Sequence, residues 1–164
     1  MGSRLRVLFF GLCAVLIVVA DQITKLLVLD LIPMGSVIEV IPGWFHLTYV
    51  QNTGAAFSSF EGMQWLFALI FIAFTVGIIW EYRQQSLKLS RFEWWCVVAI
   101  YGGGLGNMID RLRLGYVVDM IETKFMVFPV FNVADCFITC GCIALMTSLI
   151  LFNKEFWKDE KNKR

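Results

Sequence analysis

Residues 7–29 read VLFFGLCAVLIVVADQITKLLVL, an apolar run interrupted by four polar residues. A helix needs about 20 mostly apolar residues to cross a bilayer, so this stretch predicts a membrane span. Asp21 and Lys25 lie four positions apart within it, on one helix face, where the two charges can pair. An ionisable residue inside a span is costly, and it indicates either a structural pair or a functional site.

The rest of the chain is similarly apolar. Of its 164 residues 59% are apolar, and the mean hydropathy is +0.72; soluble domains have about 45–50% apolar residues. Three further segments, of which two are extended by flanking Trp and Tyr, predict spans at about 65–80, 94–110 and 134–152. We therefore predict one membrane-embedded domain over residues 1–164.

The distribution of basic residues predicts the orientation of these spans. Ten of the fourteen Lys and Arg residues fall at one side of the four-span arrangement, within residues 4–6, 83–91 and 154–164. By the positive-inside rule that side is cytoplasmic. We expect both termini in the cytoplasm and residues 30–62 and 111–133 on the outer side. The net charge of +1 is accompanied by no basic stripe, so we expect no nucleic-acid partner.

The outward segment at about 36–60 has a different pattern. Two strand-like runs flank Pro42-Gly43, which is a turn signal. The predicted fold class is an α-helical integral membrane protein with four transmembrane helices and a small outward-facing β element. Asn52 and Gly54 close this segment within a small-residue patch, which is either a simple turn or a strip that meets an extended peptide.

Polar residues of three spans collect near the outer surface. Asp21 lies roughly 22 Å along the helix from Arg6, and Asp135 opens the fourth span. Asn107 and Asp110 share a face near the outer end of the third span. Each pair alone favours a structural role, but their common depth indicates a site. The glycines in residues 102–106 indicate close helix packing, and they also leave room for a substrate backbone.

Asp119 and Asp135 flank one short loop beside an apolar run, which suggests shared chemistry. Two carboxylates that share one proton can hydrolyse an amide bond without a metal, a cofactor or a nucleophilic side chain. If Asn132 caps the fourth helix, Asp135 takes its third position, where the helix dipole favours negative charge. Asp119 lies in an apolar stretch, where burial raises its pKa. We therefore predict that Asp135 is ionised and Asp119 is protonated.

Five sequence blocks, in order along nearly the whole chain, resemble the bacterial lipoprotein signal peptidases, also called signal peptidase II. The blocks are Asp21-Gln22 with Lys25, Asn52-Thr53-Gly54-Ala55-Ala56-Phe57, Gly106-Asn107 with Asp110-Arg111, Val117-Val118-Asp119, and Phe131-Asn132 with Ala134-Asp135. Met120 stands where that family usually has Phe, and both side chains are bulky and apolar.

The resemblance implies a membrane aspartic endopeptidase of the bacterial cytoplasmic membrane, with its active site at the outer face. Such enzymes remove the signal peptide from a prolipoprotein, just before a cysteine that carries a diacylglyceryl group. It implies that Asp119 and Asp135 are catalytic, without a metal or other cofactor. The other implied positions are substrate-binding or supporting residues (Asn52, Gly54, Asn107, Arg111, Asn132) and a structural polar network (Asp21, Lys25, Asp110).

We expect the lipidated prolipoprotein and membrane lipid as partners, and a monomer. The competing hypothesis is a small ion or proton carrier, or a helper subunit, in which Asp21, Asp110 and Asp135 form a relay. Relay acids are usually spread through the membrane, whereas these cluster near one surface.

Overall fold

The computed structural model describes residues 3–54 and 62–153 of the chain. Within them lie four helices and three short strands. The helices are α1 (Ser3–Leu31), α2 (Gln64–Gln84), α3 (Arg91–Leu114) and α4 (Val133–Leu151); the strands are β1 (Val37–Ile41), β2 (Phe45–Asn52) and β3 (Val117–Thr123). This mostly helical arrangement with a small antiparallel sheet confirms the predicted fold class.

The helices extend beyond most of the predicted span limits. Among the described helices, α1 (over Leu5–Leu31), α2 and α4 are long and apolar enough to cross a membrane. Helix α3 is not apolar enough by the same measure, because it contains a glycine run, Asn107 and charged residues towards both ends. That α3 also crosses the membrane stays a prediction.

Local sequence explains where α3 begins and ends. Ser90 caps the first turn by accepting a hydrogen bond from the Glu93 amide, and the Glu93 carboxylate accepts one from the Ser90 amide. This reciprocal pair satisfies two amides that a helix start leaves free. Gly115, with φ of +80°, takes the left-handed conformation that ends the helix.

Helix α3 is the central helix, and its glycines let three neighbours approach it. Successive residues of a helix point about 100° apart, so Gly102, Gly103 and Gly104 face α1, α4 and α2 in turn. A Cβ atom on Gly103 would lie 2.5 Å from the carbonyl oxygen of Ala134, closer than real Cβ contacts allow. The predicted close packing of helices at residues 102–106 is therefore confirmed.

The sheet differs from the two-stranded element predicted at about 36–60. Its order is β1-β2-β3, antiparallel throughout, and β3 pairs with β2 through Asp119 opposite Val50 and Val117 opposite Asn52. The sequence pattern predicts only an outward connecting loop where β3 lies. The pairing partner of β3 lies some seventy residues earlier, and local sequence patterns do not show such pairings. Residues 55–61, at the end of the predicted element, lie outside the described part.

The strand β3 joins the sheet to the helices. Successive side chains of a strand point to opposite faces. Val118 and Met120 pack with Val28, Ile32 and Tyr49 in a buried apolar cluster. Asp119 therefore points to the other face of the sheet.

Candidate active site

Asp119 is held by two asparagine side chains. The Asn52 amide nitrogen, at the end of β2, donates to Asp119 Oδ2 at 2.8 Å, and the Asn132 amide nitrogen donates to Asp119 Oδ1 at 2.7 Å. Only 2% of Asp119 is exposed. Both oxygens of this buried carboxyl group thus have an amide donor, which fixes its orientation.

Asp135 is held at the start of α4. Asn132 is the N-cap of this helix and accepts a hydrogen bond from the Asp135 amide at 2.9 Å, while the Asn132 amide donates to Asp135 Oδ2 at 3.2 Å. The predicted cap and the predicted third position of Asp135 are both confirmed. The Asn107 side chain donates to the other oxygen, Oδ1, at 2.7 Å.

Asn132 connects the two carboxyl groups. Its side-chain nitrogen donates to Asp119 at 2.7 Å and to Asn107 Oδ1 at 3.1 Å, and its side-chain oxygen caps α4 by accepting from the Asp135 amide. Asn132 is fully buried. The loop between β3 and α4 therefore folds back and brings both aspartates to the border of one cavity.

The surroundings of Asp119 change its acidity. Burial raises the pKa of Asp119 to about 6; the hydrogen bond from Asn52 lowers it, and the neighbouring charge of Asp135 raises it further. Desolvation disfavours the charged form of a carboxyl group, so the direction agrees with the expectation from its apolar sequence. A group with this pKa exchanges protons at pH values where an enzyme works.

A buried ion-pair cluster lies beneath the two aspartates. Lys25 Nζ lies 2.8 Å from Asp21 Oδ2 and 2.9 Å from Asp110 Oδ2, and it donates to Asn107 Oδ1 at 2.9 Å. At most 2% of Lys25, Asp21 or Asp110 is exposed. The predicted pairing of Asp21 with Lys25 is confirmed, and the cluster joins α1 to α3.

The same cluster fixes the backbone around the site. The Ala134 amide donates to Asp21 Oδ1 at 2.9 Å, and the Val118 amide donates to Asp110 Oδ2 at 3.2 Å. Each of these amides precedes a site aspartate by one residue. Gln22, which belongs to one of the five sequence blocks but was not a predicted site residue, donates to Asp110 Oδ1 at 2.8 Å.

Arg111 lies at the edge of the site and contacts Gly54, which was also predicted to be a substrate-binding or supporting residue. One guanidinium nitrogen donates to the Gly54 carbonyl oxygen at 3.0 Å, and the guanidinium carbon lies 4.2 Å from the centre of the Phe67 ring. The Gly54 amide donates to Asn52 Oδ1 at 3.0 Å. Among described residues, the buried Nε of Arg111 has no hydrogen-bond partner. The rest of the predicted patch, residues 55–57, lies outside the described part.

A cavity of about 840 Å³ leads away from the aspartates between α2, α3 and α4. Asp119, Asp135 and Arg111 border it where α4 begins, and its walls continue along the helices as far as Phe74 and Cys142. Most of the lining is apolar. The sequence does not reveal this cavity, because its walls come from side chains that resemble ordinary lipid-facing residues.

The ten predicted site residues thus belong to one connected set of hydrogen bonds and ion pairs in the described part of the chain. Among described residues, no group of three or more His, Cys, Asp or Glu side chains could hold a metal ion.

A family model described as signal peptidase (SPase) II matches residues 13–151.

The chain belongs to the signal peptidase II family. It is 42% identical over 158 residues to a lipoprotein signal peptidase of Streptococcus agalactiae serotype V, covering 96% of this chain and 97% of that one. It is 41% identical over 151 residues to a lipoprotein signal peptidase of Streptococcus pyogenes serotype M2, covering 92% and 94% of the two chains. The resemblance stated from the five sequence blocks is confirmed.

Solved structures agree with this family assignment. A bacterial membrane enzyme solved by the in meso method at 2.3 Å resolution superposes with a TM-score of 0.81 at 32% identity, over 95% of this chain and 92% of that chain. A second, solved at 1.9 Å, superposes with a TM-score of 0.78 at 31% identity, over 88% and 94%. The chain is therefore a membrane protease of the signal peptidase II family.

Proposed function

We propose that Asp119 and Asp135 are the catalytic pair with which this signal peptidase II cuts the signal peptide from a prolipoprotein. The observation that carries the proposal is the placement of two carboxyl groups on either side of Asn132, at the border of one apolar cavity. The raised pKa of Asp119 supports a dyad that holds one proton.

The chemistry follows from this shared proton. Ionised Asp135 takes a proton from a water molecule, whose oxygen attacks the scissile carbonyl carbon, while protonated Asp119 donates a hydrogen bond to the carbonyl oxygen. The tetrahedral intermediate then breaks its C–N bond as Asp119 protonates the leaving nitrogen, and the proton that Asp135 took from water restores the single proton of the dyad. Asn52, Asn107 and Asn132 keep the two carboxyl groups in position by donating hydrogen bonds to them.

The cavity supports the proposed substrate, a precursor with a diacylglyceryl-modified cysteine that is cut just before this residue. Its apolar walls between α2, α3 and α4 suit a signal helix, and Arg111 and Gly54 offer polar groups where the helix ends. Acyl chains in the bilayer would hold the scissile bond at the outer interface. We accordingly place the enzyme in the bacterial cytoplasmic membrane as a monomer, with both termini inside and the site at the outer face.

The test compares Asp119→Asn and Asp135→Asn with the wild type in liposomes. Each substitution removes a proton-transfer group, so we expect cleavage of a lipidated precursor to fall by about 10²- to 10⁴-fold. Asp30→Asn is the matched control, because it makes the same change at an exposed carboxyl group near the C-terminal end of α1. An unlipidated precursor tests whether the diacylglyceryl group is needed.

Three results would contradict the proposal. They are full activity in both site variants, an equal loss in Asp30→Asn, and equal cleavage of lipidated and unlipidated precursors, which would remove the lipid requirement. Thermal unfolding of each variant identifies any loss that comes from misfolding.

The carrier hypothesis is not supported. The family is one of peptidases, and two of the three relay acids, Asp21 and Asp110, form ion pairs with the same buried lysine. A proton-flux measurement on the same liposomes tests this directly, and we expect cleavage without flux.

A further inference from the structure

A second cavity, of about 180 Å³, lies at the opposite end of the helices from the two aspartates. It forms where α1 begins, α2 ends and α3 begins, and its walls include Arg6, Lys88 and Arg91. Arg6 from the start of α1 and Arg91 from the start of α3 therefore line one small space that takes no part in the proposed peptide cleavage.

The charge around this cavity is positive. Its one carboxylate, Glu81, is buried and already engaged: Oε2 accepts from the Ser86 hydroxyl at 2.6 Å, and Oε1 accepts from the Leu87 amide at 2.9 Å. Within the described residues, neither the Arg6 nor the Arg91 guanidinium group forms an ion pair. Two guanidinium groups beside one engaged carboxylate attract an anion.

The backbone of the cavity wall has an uncommon conformation. Gln85 and Lys88, with φ of +50° and +49°, are the only non-glycine residues with positive φ in the described part, and both line this cavity. Gln85 is the left-handed residue that ends α2, whereas Lys88 lies in the connection to α3, where a non-glycine residue with positive φ is disfavoured and has to be held by its surroundings.

The remaining wall includes the aromatic side chains of Phe10 and Trp94, and Tyr82 adjoins it without lining the cavity. Trp94 stacks on Phe10 with ring centres 6.5 Å apart, and Tyr82 packs edge-on against Trp94 at 5.7 Å. Trp and Tyr side chains are typical of the headgroup level of a bilayer. An anion bound here would thus contact basic groups and an aromatic surface that continues onto lipid-facing helices.

We infer that this cavity binds the phosphate group of an anionic phospholipid, with Arg6 and Arg91 as the principal contacts. Basic pockets between helix ends at the cytoplasmic side of a membrane are suited to such headgroups. A free phosphate ion has the same charge chemistry, but it would gain nothing from the aromatic wall. The inference rests on the proposed orientation, which puts this end of the helices at the cytoplasmic side, and is independent of the proposed catalytic pair.

The experiment measures lipid binding by the full-length protein in phosphatidylcholine nanodiscs with a rising fraction of phosphatidylglycerol. Native mass spectrometry and a fluorescent phosphatidylglycerol report occupancy. We expect Arg6→Gln and Arg91→Gln each to weaken binding about fivefold, corresponding to about 1 kcal/mol per basic residue near the membrane surface. Arg83→Gln is the matched control, since it removes the same charge at the same end without lining the cavity.

The outcomes distinguish a lipid site from diffuse charge attraction and from a site for a free phosphate ion. Equal weakening by Arg83→Gln indicates diffuse attraction and overturns the site. Wild-type protein that binds phosphatidylglycerol no better than phosphatidylcholine also overturns it, and this comparison does not depend on a variant folding. If inorganic phosphate binds alone as tightly as the lipid and displaces it, the lipid assignment is wrong. No readout uses peptide cleavage, so failure here leaves the proposed function untouched.

Discussion

Replacing Asn52 by leucine should shift the pH dependence of cleavage towards higher pH. The Asn52 side chain donates to Asp119 Oδ2 at 2.8 Å, and this bond lowers the pKa of Asp119, which burial has raised to about 6. A hydrogen bond favours the ionised acceptor, so its removal makes Asp119 hold its proton more tightly. Leucine has nearly the same shape as asparagine and offers no donor.

The size of the shift follows from the strength of the lost bond. A hydrogen bond to a charged group contributes about 1.5–3 kcal/mol, and one pKa unit corresponds to about 1.36 kcal/mol. The pKa of Asp119 should therefore rise by about 1 to 2 units, towards about 7 to 8. The dyad needs the proton on Asp119, so kcat/KM should fall tenfold per pH unit above the pKa of this group. This fall should begin above about 7 to 8 in Asn52→Leu and above about 6 in the wild type.

The assay is a pH–rate profile of kcat/KM with one lipidated peptide for all variants, so that any titration of the substrate cancels. Gln51→Leu is the matched control, since Gln51 lies next to Asn52 on β2 and donates to the Tyr49 hydroxyl at 2.7 Å. Asn52→Leu also removes the hydrogen bond from the Gly54 amide. We expect this loss to lower the maximum kcat/KM without changing the pH at which kcat/KM begins to fall. The reasoning would be refuted if the alkaline side of the Asn52→Leu profile stayed in place or moved to lower pH. An equal shift in Gln51→Leu would refute it as well.

Two substitutions test the buried supports of the site through the free energy of unfolding. Lys25→Met leaves the buried carboxylates of Asp21 and Asp110 without their cation and should lower the free energy of unfolding by about 3–5 kcal/mol. Denaturant unfolding in micelles measures this loss, and a loss below about 1 kcal/mol would contradict the ion-pair geometry. Gly106→Ala places a Cβ atom 2.5 Å from Asp21 Oδ2 and should cost about 1–3 kcal/mol. Gly77→Ala, with no atom within 4 Å, should be neutral or slightly stabilising, and equal losses in the two alanine variants would rule out the close contact.

The helices and the N-cap of α4 could be predicted because their signals are local. The Asn132 cap and the Asp135 position needed only three neighbouring residues and a rule about free amides. The pairing of β3 with β2 joins residues about seventy positions apart, and the spacing of apolar residues carries no information about it. Local spacing also predicted two contacts, Asp21 with Lys25 and Asn132 with Asp135, but it did not predict the contacts between residues of different elements.

The apolar cavity was missed for a related reason. In a membrane protein, a residue that lines a groove and one that faces lipid have the same composition, so Phe67 and Phe71 gave no signal until α2 was placed beside α3. Polar residues gave a clear signal, because burying them in an apolar chain is costly and has to be explained.

The charges around the two aspartates give a separate reason for a proton in the dyad. Lys25 is shared by Asp21 and Asp110, so that buried cluster already carries one excess negative charge. Arg111, at the other edge of the site, offsets that excess. If Asp119 and Asp135 were both ionised, two uncompensated charges would stand at the border of an apolar cavity, where repulsion is poorly screened. One proton on Asp119 reduces the two uncompensated negative charges to one. It leaves Asp119 as the general acid and Asp135 as the general base that amide hydrolysis requires.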